Sequence, residues 1–361
     1  MTKHRPDFEL NRPGTLIAAL PAVLGFVPEK SLVLVSVDRG ELGAVMRVDL
    51  SEDLVERVGQ LAEVAAAARP EAAIVVVVDA DGAKCPMCNG EYRELCSAVA
   101  DSLSDRDIAL WGAHVVDRVG PGGRWHCVDG CGAGGVIDDP SASPLAAAAV
   151  LDGRRLYSRR ADLQAVIAVE NPSRSAELAV MVRDHAVARD AACHDDPDGR
   201  DDPDGRDDRS RRDIEGVMAV AGRVADGQPL ADAELAALGC SLTDVQVRDT
   251  LYALAVGEYA AQAESLWALL SRTLPEPWRV EALVLLAFSA YVRGDGPLAG
   301  VSLEAALRCQ PTHRMAGMLD TALQSGMRPE RIRELASTGY RLAERLGVRL
   351  PPRRGFGQRA G

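Results

Sequence analysis

Two apolar runs near the start of the chain predict a β-hairpin. The runs cover residues 31–37 and 42–50, are rich in β-branched side chains, and are separated by a polar turn at 38–40. Apolar residues at helical spacing flank the hairpin on both sides, beginning near Pro13 and Leu54. Strands and helices therefore alternate from the first part of the chain.

The strongest strand signal is the continuously apolar run 74–78. Such a run is typical of a strand that is covered on both faces, as in the centre of a sheet flanked by helices. A loop at 79–89, a helix at 91–103 and a strand at 108–116 complete a predicted βαβ unit with a right-handed crossover. We therefore predict an α/β fold with a mixed, mostly parallel sheet and helices on both of its faces.

The composition changes abruptly after this α/β domain, which we assign to residues 1–193. Residues 194–213 contain the hexapeptide Asp-Asp-Pro-Asp-Gly-Arg twice in tandem and none of the hydrophobic residues Ala, Val, Ile, Leu, Met, Phe, Trp, Tyr and Cys, so we predict an Asp-rich disordered linker. Every segment in 214–350 has helical spacing, which predicts an all-α domain. Residues 351–361 are expected to form a flexible tail.

One stretch of the all-α domain has the spacing of a tetratricopeptide-type helical hairpin. Small residues such as Ala287 and Ala299 stand where two helices would cross closely, and the pair Gly294-Asp295 supplies the turn between them. The second half of the chain is therefore predicted to be a tetratricopeptide-like helical-repeat domain.

The charge of the chain limits its partners. The formal net charge is −12, and a field of that sign repels phosphate backbones and anionic membrane surfaces, so nucleic acid and membranes are not expected as partners. Neither a secretory h-region nor an uninterrupted apolar stretch of roughly 18 residues is present, which predicts a cytoplasmic protein. The eight cysteines are then expected to be thiols or metal ligands rather than disulfides.

Four of these cysteines supply the sharpest chemical hypothesis. Cys85 and Cys88 have zinc-knuckle spacing, and Cys127 and Cys131 add two more sulfurs, so a four-cysteine zinc site is conceivable. Topology argues against it, because Cys85 and Cys88 follow a strand at its carboxyl end, whereas Cys127 lies on a strand that descends from that end. Reduced thiols without metal and a redox pair at Cys85 and Cys88 are the alternatives.

Asp79 and Asp81 are candidate ligand-binding residues. They follow the central strand at its carboxyl end, where α/β folds tend to bind ligands and where a metal or a substrate hydroxyl could be held. An ordinary turn is the alternative, since Asp and Gly are common in loops that leave a strand. His126, beside Cys127, is a spare metal ligand in this interpretation, and the glycine-rich segment 130–135 is expected to be a loop.

A series of short motifs carries a family resemblance. The motifs are Pro13-Gly14, Leu24-Gly25-Phe26-Val27-Pro28, Ser31-Leu32-Val33, Arg124-Trp125-His126-Cys127, Cys131, Ser143-Pro144-Leu145-Ala146-Ala147 and Arg293-Gly294-Asp295-Gly296. With them the chain resembles an actinobacterial family of uncharacterised proteins, domain of unknown function 4192, over most of its length. The resemblance implies a bacterial cytoplasmic protein with this two-part layout, and it implies no particular activity.

Two functional hypotheses follow from these patterns. The first is a binding or regulatory protein that presents its helical repeats to a protein partner. The second is an enzyme, or a sensor of a small molecule or metal such as zinc, with its site at the carboxyl ends of the sheet strands around Asp79, Asp81 and Cys85. An exposed, apolar-lined groove on the helices would favour the first hypothesis, and a deep pocket at the strand ends would favour the second.

Overall fold

The computed structural model of the chain describes residues 12–67, 69–151, 154–194 and 203–353. The chain divides into two compact units, one extending to Leu163 and the other beginning at Gln164, with the short segment Gln324–Gly326 grouped with the first. This boundary lies earlier in the chain than residue 193, where the sequence places the end of the α/β domain. The two units are described separately below.

The N-terminal unit contains a six-stranded sheet and five α-helices among its described residues, and the last of these helices extends two residues past Leu163. The elements in chain order are α1 (Pro13–Leu24), β1 (Ser31–Asp38), β2 (Glu41–Asp49), α2 (Leu54–Ala66), β3 (Ala72–Val78), α3 (Pro86–Ser104), β4 (Ala109–Val116), β5 (Arg124–Cys127), β6 (Gly134–Val136), α4 (Pro144–Leu151) and α5 (Arg160–Ala165). The strands lie in the order β2-β1-β3-β4-β5-β6. The predicted hairpin and the predicted parallel β3-α3-β4 unit are both present.

The sheet is mixed, but the prediction that it is mostly parallel is wrong. Only β3 and β4 pair in parallel, whereas the other four neighbouring pairs are antiparallel. The reason is the position of β1, which lies between β2 and β3 and runs against both of them. The crossover through α2 therefore joins two strands of equal direction that are not neighbours.

The core of this unit lies where α2 and α3 cover one face of the sheet. Alternate strand residues such as Leu34, Val75 and Val115 form one buried cluster with side chains of both helices. The strand residues between them, such as Val33 and Val76, point to the opposite face of the sheet and are also completely buried. The other face is therefore covered as well. The continuously apolar run of β3 is thus explained by burial on both faces.

The regular elements of the second unit are helices in the part of the chain that the structure describes. Its elements are α6 (Pro172–His194), α7 (Pro203–Ala225), α8 (Asp232–Ser241), α9 (Val245–Leu251), α10 (Ala260–Thr273), α11 (Arg279–Arg293), α12 (Gly296–Cys309), α13 (Arg314–Gln324), α14 (Pro329–Arg333) and α15 (Ala336–Arg345). Its only β-type contact among the described residues is an isolated bridge between Gly257 and Arg353. None of the described helices is long and apolar enough to cross a membrane.

Two features of this unit differ from the predicted domain borders. Helix α6 packs its buried Val182 against Ala236 and Cys240 of α8, so it belongs with the helices rather than with the sheet. Helix α7 begins at Pro203, so residues 203–213 of the predicted disordered linker are helical. Part of that tract, 195–202, lies outside the described residues, as does the predicted tail after residue 353.

Helix α11 occupies the centre of the helical unit. Residues from Arg279 to Val292 are buried on almost every side, as expected for a helix that is apolar around its whole circumference. The helix ends at Gly294, whose φ of 87° lies in the left-handed region that favours glycine. Asp295 then caps α12 by accepting the N–H of Leu298 at 3.1 Å, so the predicted turn between these two helices is present.

Candidate functional site

Two cysteines form the first turn of α3, directly after the central strand. The sequence predicts a loop through residue 89, but α3 begins at Pro86, because proline suits the first helical position, where no N–H is needed. Cys85 is the N-cap of the helix, and its Sγ accepts the backbone N–H of Cys88 at 3.5 Å. Both side chains are partly exposed. The local fold therefore places the two thiols side by side at a helix N-terminus.

Hydrogen bonding makes the two thiols unequal. The backbone N–H of Cys88 lowers the pKa of Cys85, with further contributions from the Cys88 thiol and the backbone N–H of Met87. The pKa of Cys88 is raised, first because its thiol donates to Cys85 and then because of burial and the neighbouring charge. Cys85 is thus the more acidic member of the pair, as expected for a cysteine at a helix N-terminus.

Asp79 is held inside the turn that leads from β3 to α3. Its Oδ2 accepts the hydroxyl of Tyr92 at 2.6 Å, and its Oδ1 accepts the backbone N–H of Asp81 at 3.1 Å. Burial raises the pKa of Asp79, but the hydrogen bonds from Tyr92 and from the backbone of Gly82 and Asp81 outweigh it, so the net direction is downward. The carboxylate is therefore engaged within the turn.

Asp81, the other candidate ligand, is exposed and faces a different partner. Its Oδ2 lies 3.5 Å from Nζ of Lys30, which is also exposed, so this ion pair is expected to add little stability. Asp79 is hydrogen-bonded within the turn and Asp81 pairs with Lys30 at the surface, which fits the turn interpretation of this segment.

Asn89, a residue of α3, is hydrogen-bonded both to the turn that precedes the helix and to His126 of strand β5. Its Nδ2 donates to the backbone carbonyls of Cys85 at 2.8 Å, Ala83 at 3.0 Å and Gly82 at 3.4 Å. Its Oδ1 lies 2.7 Å from Nε2 of His126 on β5. Because the amide nitrogen faces carbonyls, Oδ1 is the acceptor and Nε2 of His126 carries the proton. The position of Cys85 is fixed by this network.

The four candidate zinc ligands form two pairs. Cys85 contacts Cys88, and Cys127 contacts Cys131, but no group of three or more potential metal ligands is present within the described ranges, which include all four cysteines. The reason is strand geometry. His126 faces α3, and successive side chains of a strand point to opposite faces, so Cys127 points away from α3.

A cavity of about 530 Å³ lies next to Lys84 and the strand β5. Arg124, His126 and Cys127 of β5 line it, together with glycines of the segment that leads into β6. The sequence predicts only a loop at 130–135, yet its last two residues begin β6, which pairs with β5. The strand is short and glycine-rich, so it carries little of the apolar alternation from which strands are predicted.

Three residues of this site were not predicted to act together. Asn89 and Tyr92 are three residues apart and therefore share the face of α3 that meets the turn. The three-residue spacing in the sequence could have indicated that Asn89 and Tyr92 act on the same turn. It does so only if both residues belong to the helix, which requires the helix to begin at Pro86. His126 was predicted as a spare metal ligand, whereas its closest polar partner is Asn89.

Comparison with known proteins gives one match. The family described as "Domain of unknown function (DUF4192)" matches residues 13–330, which include the sheet, the cysteine pairs and most of the helical unit. No curated protein and no solved structure matched the chain. The match spans most of the sequence, and the chain belongs to the DUF4192 family.

Proposed function

We propose that the N-terminal unit carries a thiol–disulfide exchange site, in which Cys85 is the nucleophile and Cys88 the resolving thiol. One observation carries this proposal: the Cys85 sulfur caps α3 and faces both the N–H and the thiol of Cys88. A Cys-x-x-Cys pair at the start of a helix that follows a central strand is a recognised setting for reactive cysteines. The site stands at the carboxyl end of β3, as the second functional hypothesis requires.

The exchange needs a disulfide as co-substrate. The Cys85 thiolate attacks one sulfur of the incoming disulfide, its S–S bond breaks, and the departing thiolate takes a proton from solvent. Cys88 then loses its proton and attacks Sγ of Cys85, which releases the second substrate thiol and forms the Cys85–Cys88 disulfide. The chain is oxidised by two electrons and the substrate is reduced to two thiols. A reducing dithiol regenerates the site by the reverse steps.

The lower pKa of Cys85 supports this assignment of roles. The attacking group must be a thiolate, and the more acidic thiol supplies more of it at neutral pH. Cys88, with the raised pKa, suits the resolving role because it stays protonated until the mixed disulfide brings its target close. A cytoplasmic location is part of the proposal, since no disulfide joins the cysteines whose side chains the structure describes, and a reducing compartment maintains such thiols.

Zinc at these cysteines is the competing proposal. The same two thiolates could contribute half of a four-cysteine site, but the Cys127–Cys131 pair would have to move to join them. The metal content of the purified chain distinguishes the two proposals, because a structural zinc would be present at about one per chain and would block exchange.

The helical unit supports a second, weaker proposal, a tetratricopeptide-like surface for a protein partner. The α11–α12 hairpin favours it, with its Gly294-Asp295 turn and with Ala287 and Ala299 buried between the helices. Against it, α11 is buried on almost every side, so it presents too little surface to line an open concave groove. We therefore rank the exchange site first.

The exchange proposal is tested on the full chain in glutathione redox buffers. After alkylation of the remaining thiols, mass spectrometry should show a Cys85–Cys88 disulfide whose fraction changes reversibly with the ratio of oxidised to reduced glutathione. At neutral pH, iodoacetamide should modify Cys85 at least about tenfold faster than Cys309, which is also partly exposed but whose pKa burial raises to about 11.

Two serine variants complete the test. Cys85→Ser should abolish reduction of the dye disulfide 5,5′-dithiobis(2-nitrobenzoate) by the dithiothreitol-treated, desalted chain at this site, and Cys88→Ser should trap a mixed disulfide on Cys85. Cys309→Ser is the matched control and should leave both reactions unchanged. The proposal is wrong if the Cys85–Cys88 disulfide does not form under any glutathione ratio, or if the purified chain holds zinc on these thiols.

A further inference from the structure

A second cavity, independent of the thiol site, lies within the helical unit. Its volume is about 470 Å³, within the range of small-molecule sites. It is bounded by the segment that follows α5, by the start of α11 and by one side of α12. Both apolar and charged side chains line it, and the decisive one is Arg279.

Arg279 is a buried cation without a carboxylate partner. The residue is only 9% exposed, and the one side-chain hydrogen bond found for it within the described ranges runs from a terminal guanidinium nitrogen to the carbonyl of Ile167 at 2.7 Å. Its Nε has no hydrogen-bond partner, and among the residues that the structure describes it forms no ion pair. Burying a guanidinium group without a counter-ion costs desolvation free energy. An anion bound next to Arg279 would offset that cost.

Other arginines of the same unit show the contrast. Arg248 pairs with Glu281 at 3.2 Å, and Arg293 pairs with Glu264 at 2.8 Å. Both are more exposed than Arg279, yet each has a carboxylate. Unlike these two arginines, Arg279 forms no ion pair with a carboxylate in the described part of the chain, and it lies in the cavity wall.

The carboxylates that line the cavity are already engaged. Oε1 of Glu276 accepts the thiol of Cys309 at 3.0 Å, which contributes, after burial, to the raised pKa of that thiol. Glu304 pairs with Arg308 at 2.9 Å along the exposed side of α12. Neither glutamate neutralises Arg279, and together they disfavour a ligand with two negative charges.

Apolar side chains form the rest of the wall. Ile167 and Ala305 are buried at the cavity, and Val301 is partly exposed there. We propose that this cavity binds a small monocarboxylate, whose carboxylate pairs with Arg279 and whose apolar part packs against Ile167, Val301 and Ala305. The planar guanidinium suits a carboxylate, since it can donate two parallel hydrogen bonds to it.

The test uses the full chain and three probe acids, hexanoate, 4-methylpentanoate and benzoate, in isothermal titration calorimetry. At least one acid should bind saturably, with a Kd in the millimolar range or tighter for so small a ligand. Hexan-1-ol and benzyl alcohol, which lack the charge, should bind at least about tenfold more weakly. Saturable binding of an alcohol as tight as that of its acid would overturn the proposal.

Two variants separate a binding role of Arg279 from a structural one. Arg279→Met removes the charge and should weaken the acid at least about tenfold, while the unliganded variant should melt no lower than the wild type, because an unpaired buried charge is lost. Val301→Trp leaves Arg279 in place but fills the cavity, and it should also abolish binding.

The control is Arg331→Gln, which makes the same change in net charge on an exposed side chain and should leave binding unchanged. The proposal fails if no probe acid binds, if Arg279→Met binds as the wild type does, or if Arg331→Gln weakens binding as much as Arg279→Met. None of these outcomes depends on the thiol pair, so the exchange proposal stands or falls separately.

Discussion

Gly82 and Tyr92 are so close that a Cβ atom built on Gly82 would lie 1.9 Å from the hydroxyl oxygen of Tyr92 and 2.8 Å from Oδ2 of Asp79. The turn between β3 and α3 therefore depends on a residue without a side chain. Any larger residue must displace the hydroxyl from Asp79, which would break the hydrogen bond that holds the turn.

Gly82→Ala should consequently lower the free energy of unfolding by about 1–3 kcal/mol, through overpacking against a fixed partner. Urea denaturation followed by circular dichroism measures this change. The control is Gly90→Ala in α3, the helix that follows the turn, where a Cβ atom would meet nothing within 4 Å. That variant should be neutral or more stable by up to about 1 kcal/mol, because alanine favours helix, and equal losses in both variants would contradict the close contact.

Tyr92→Phe should destabilise the chain by about 1–2 kcal/mol at neutral pH, since it removes a hydrogen bond to a carboxylate. The loss should shrink on acidification. The pKa of Asp79 is lower in the folded than in the unfolded chain, so its contribution is complete above the unfolded value of about 4 and disappears as the pH falls further. Urea denaturation between neutral pH and about pH 3 measures the trend.

Tyr340→Phe is the control for this pH dependence. The hydroxyl of Tyr340 donates to the backbone carbonyl of Pro351 at 3.0 Å, an acceptor that does not titrate. The decrease in the free energy of unfolding caused by Tyr340→Phe should therefore be the same at neutral pH and at about pH 3. A deficit of Tyr92→Phe that stays constant down to the lowest pH would show that Asp79 is not the group involved.

Asn89→Ala should cost about 2–3 kcal/mol, because it removes the donor to the carbonyls of Cys85, Ala83 and Gly82 and leaves His126 without its acceptor. Asn171→Ala is the comparison, since the side chain of Asn171 accepts the N–H of Arg174 at the start of a helix and its loss should cost about 1 kcal/mol. Thermal unfolding of both variants measures the difference, and the reverse order would refute this role of Asn89.

Asp295→Ala should lower the free energy of unfolding by about 2–3 kcal/mol. The side chain is almost fully buried, caps α12 through Leu298 and pairs with Arg293 at 3.1 Å, so its loss leaves a partly buried cation short of one partner. Asp244→Ala is the matched N-cap control. Asp244 is more exposed and should cost about 1 kcal/mol. Urea denaturation of the two variants side by side tests the ranking.

The spacing of hydrophobic residues predicts most elements of this fold, because that spacing reflects which side chains are buried. The start of α1 at Pro13, the β1–β2 hairpin and the helical character of the chain after residue 214 follow from apolar spacing and from residues such as Gly294 that end a helix. Strand direction does not follow in the same way. The continuously apolar sequence of β3 indicates that both faces of the strand are covered. The same sequence would be expected beside a parallel or an antiparallel neighbour, and β3 has one of each.

The candidate site was predicted only in part, because its geometry depends on where one helix begins. Cys85, Cys88 and Asp79 are visible as motifs in the sequence, but the hydrogen bond between Asn89 and His126 requires contact between elements that are distant in the chain. The buried, unpaired state of Arg279 is likewise a tertiary property. Sequence spacing identifies residue types, whereas pairing across elements decides which partners they have.

The sulfur cap of α3 has a consequence for the energy of electron transfer. A thiolate at Cys85 is a better acceptor for the N–H of Cys88 than a disulfide sulfur, so the helix start is more favourable in the reduced chain. Under the proposed function this difference shifts the reduction potential of the pair upward, because whatever stabilises the dithiol makes its disulfide a stronger oxidant. The capped dithiol would thus be a weaker reductant than an uncapped one, and it would reduce only disulfides whose reduction potential lies above its own.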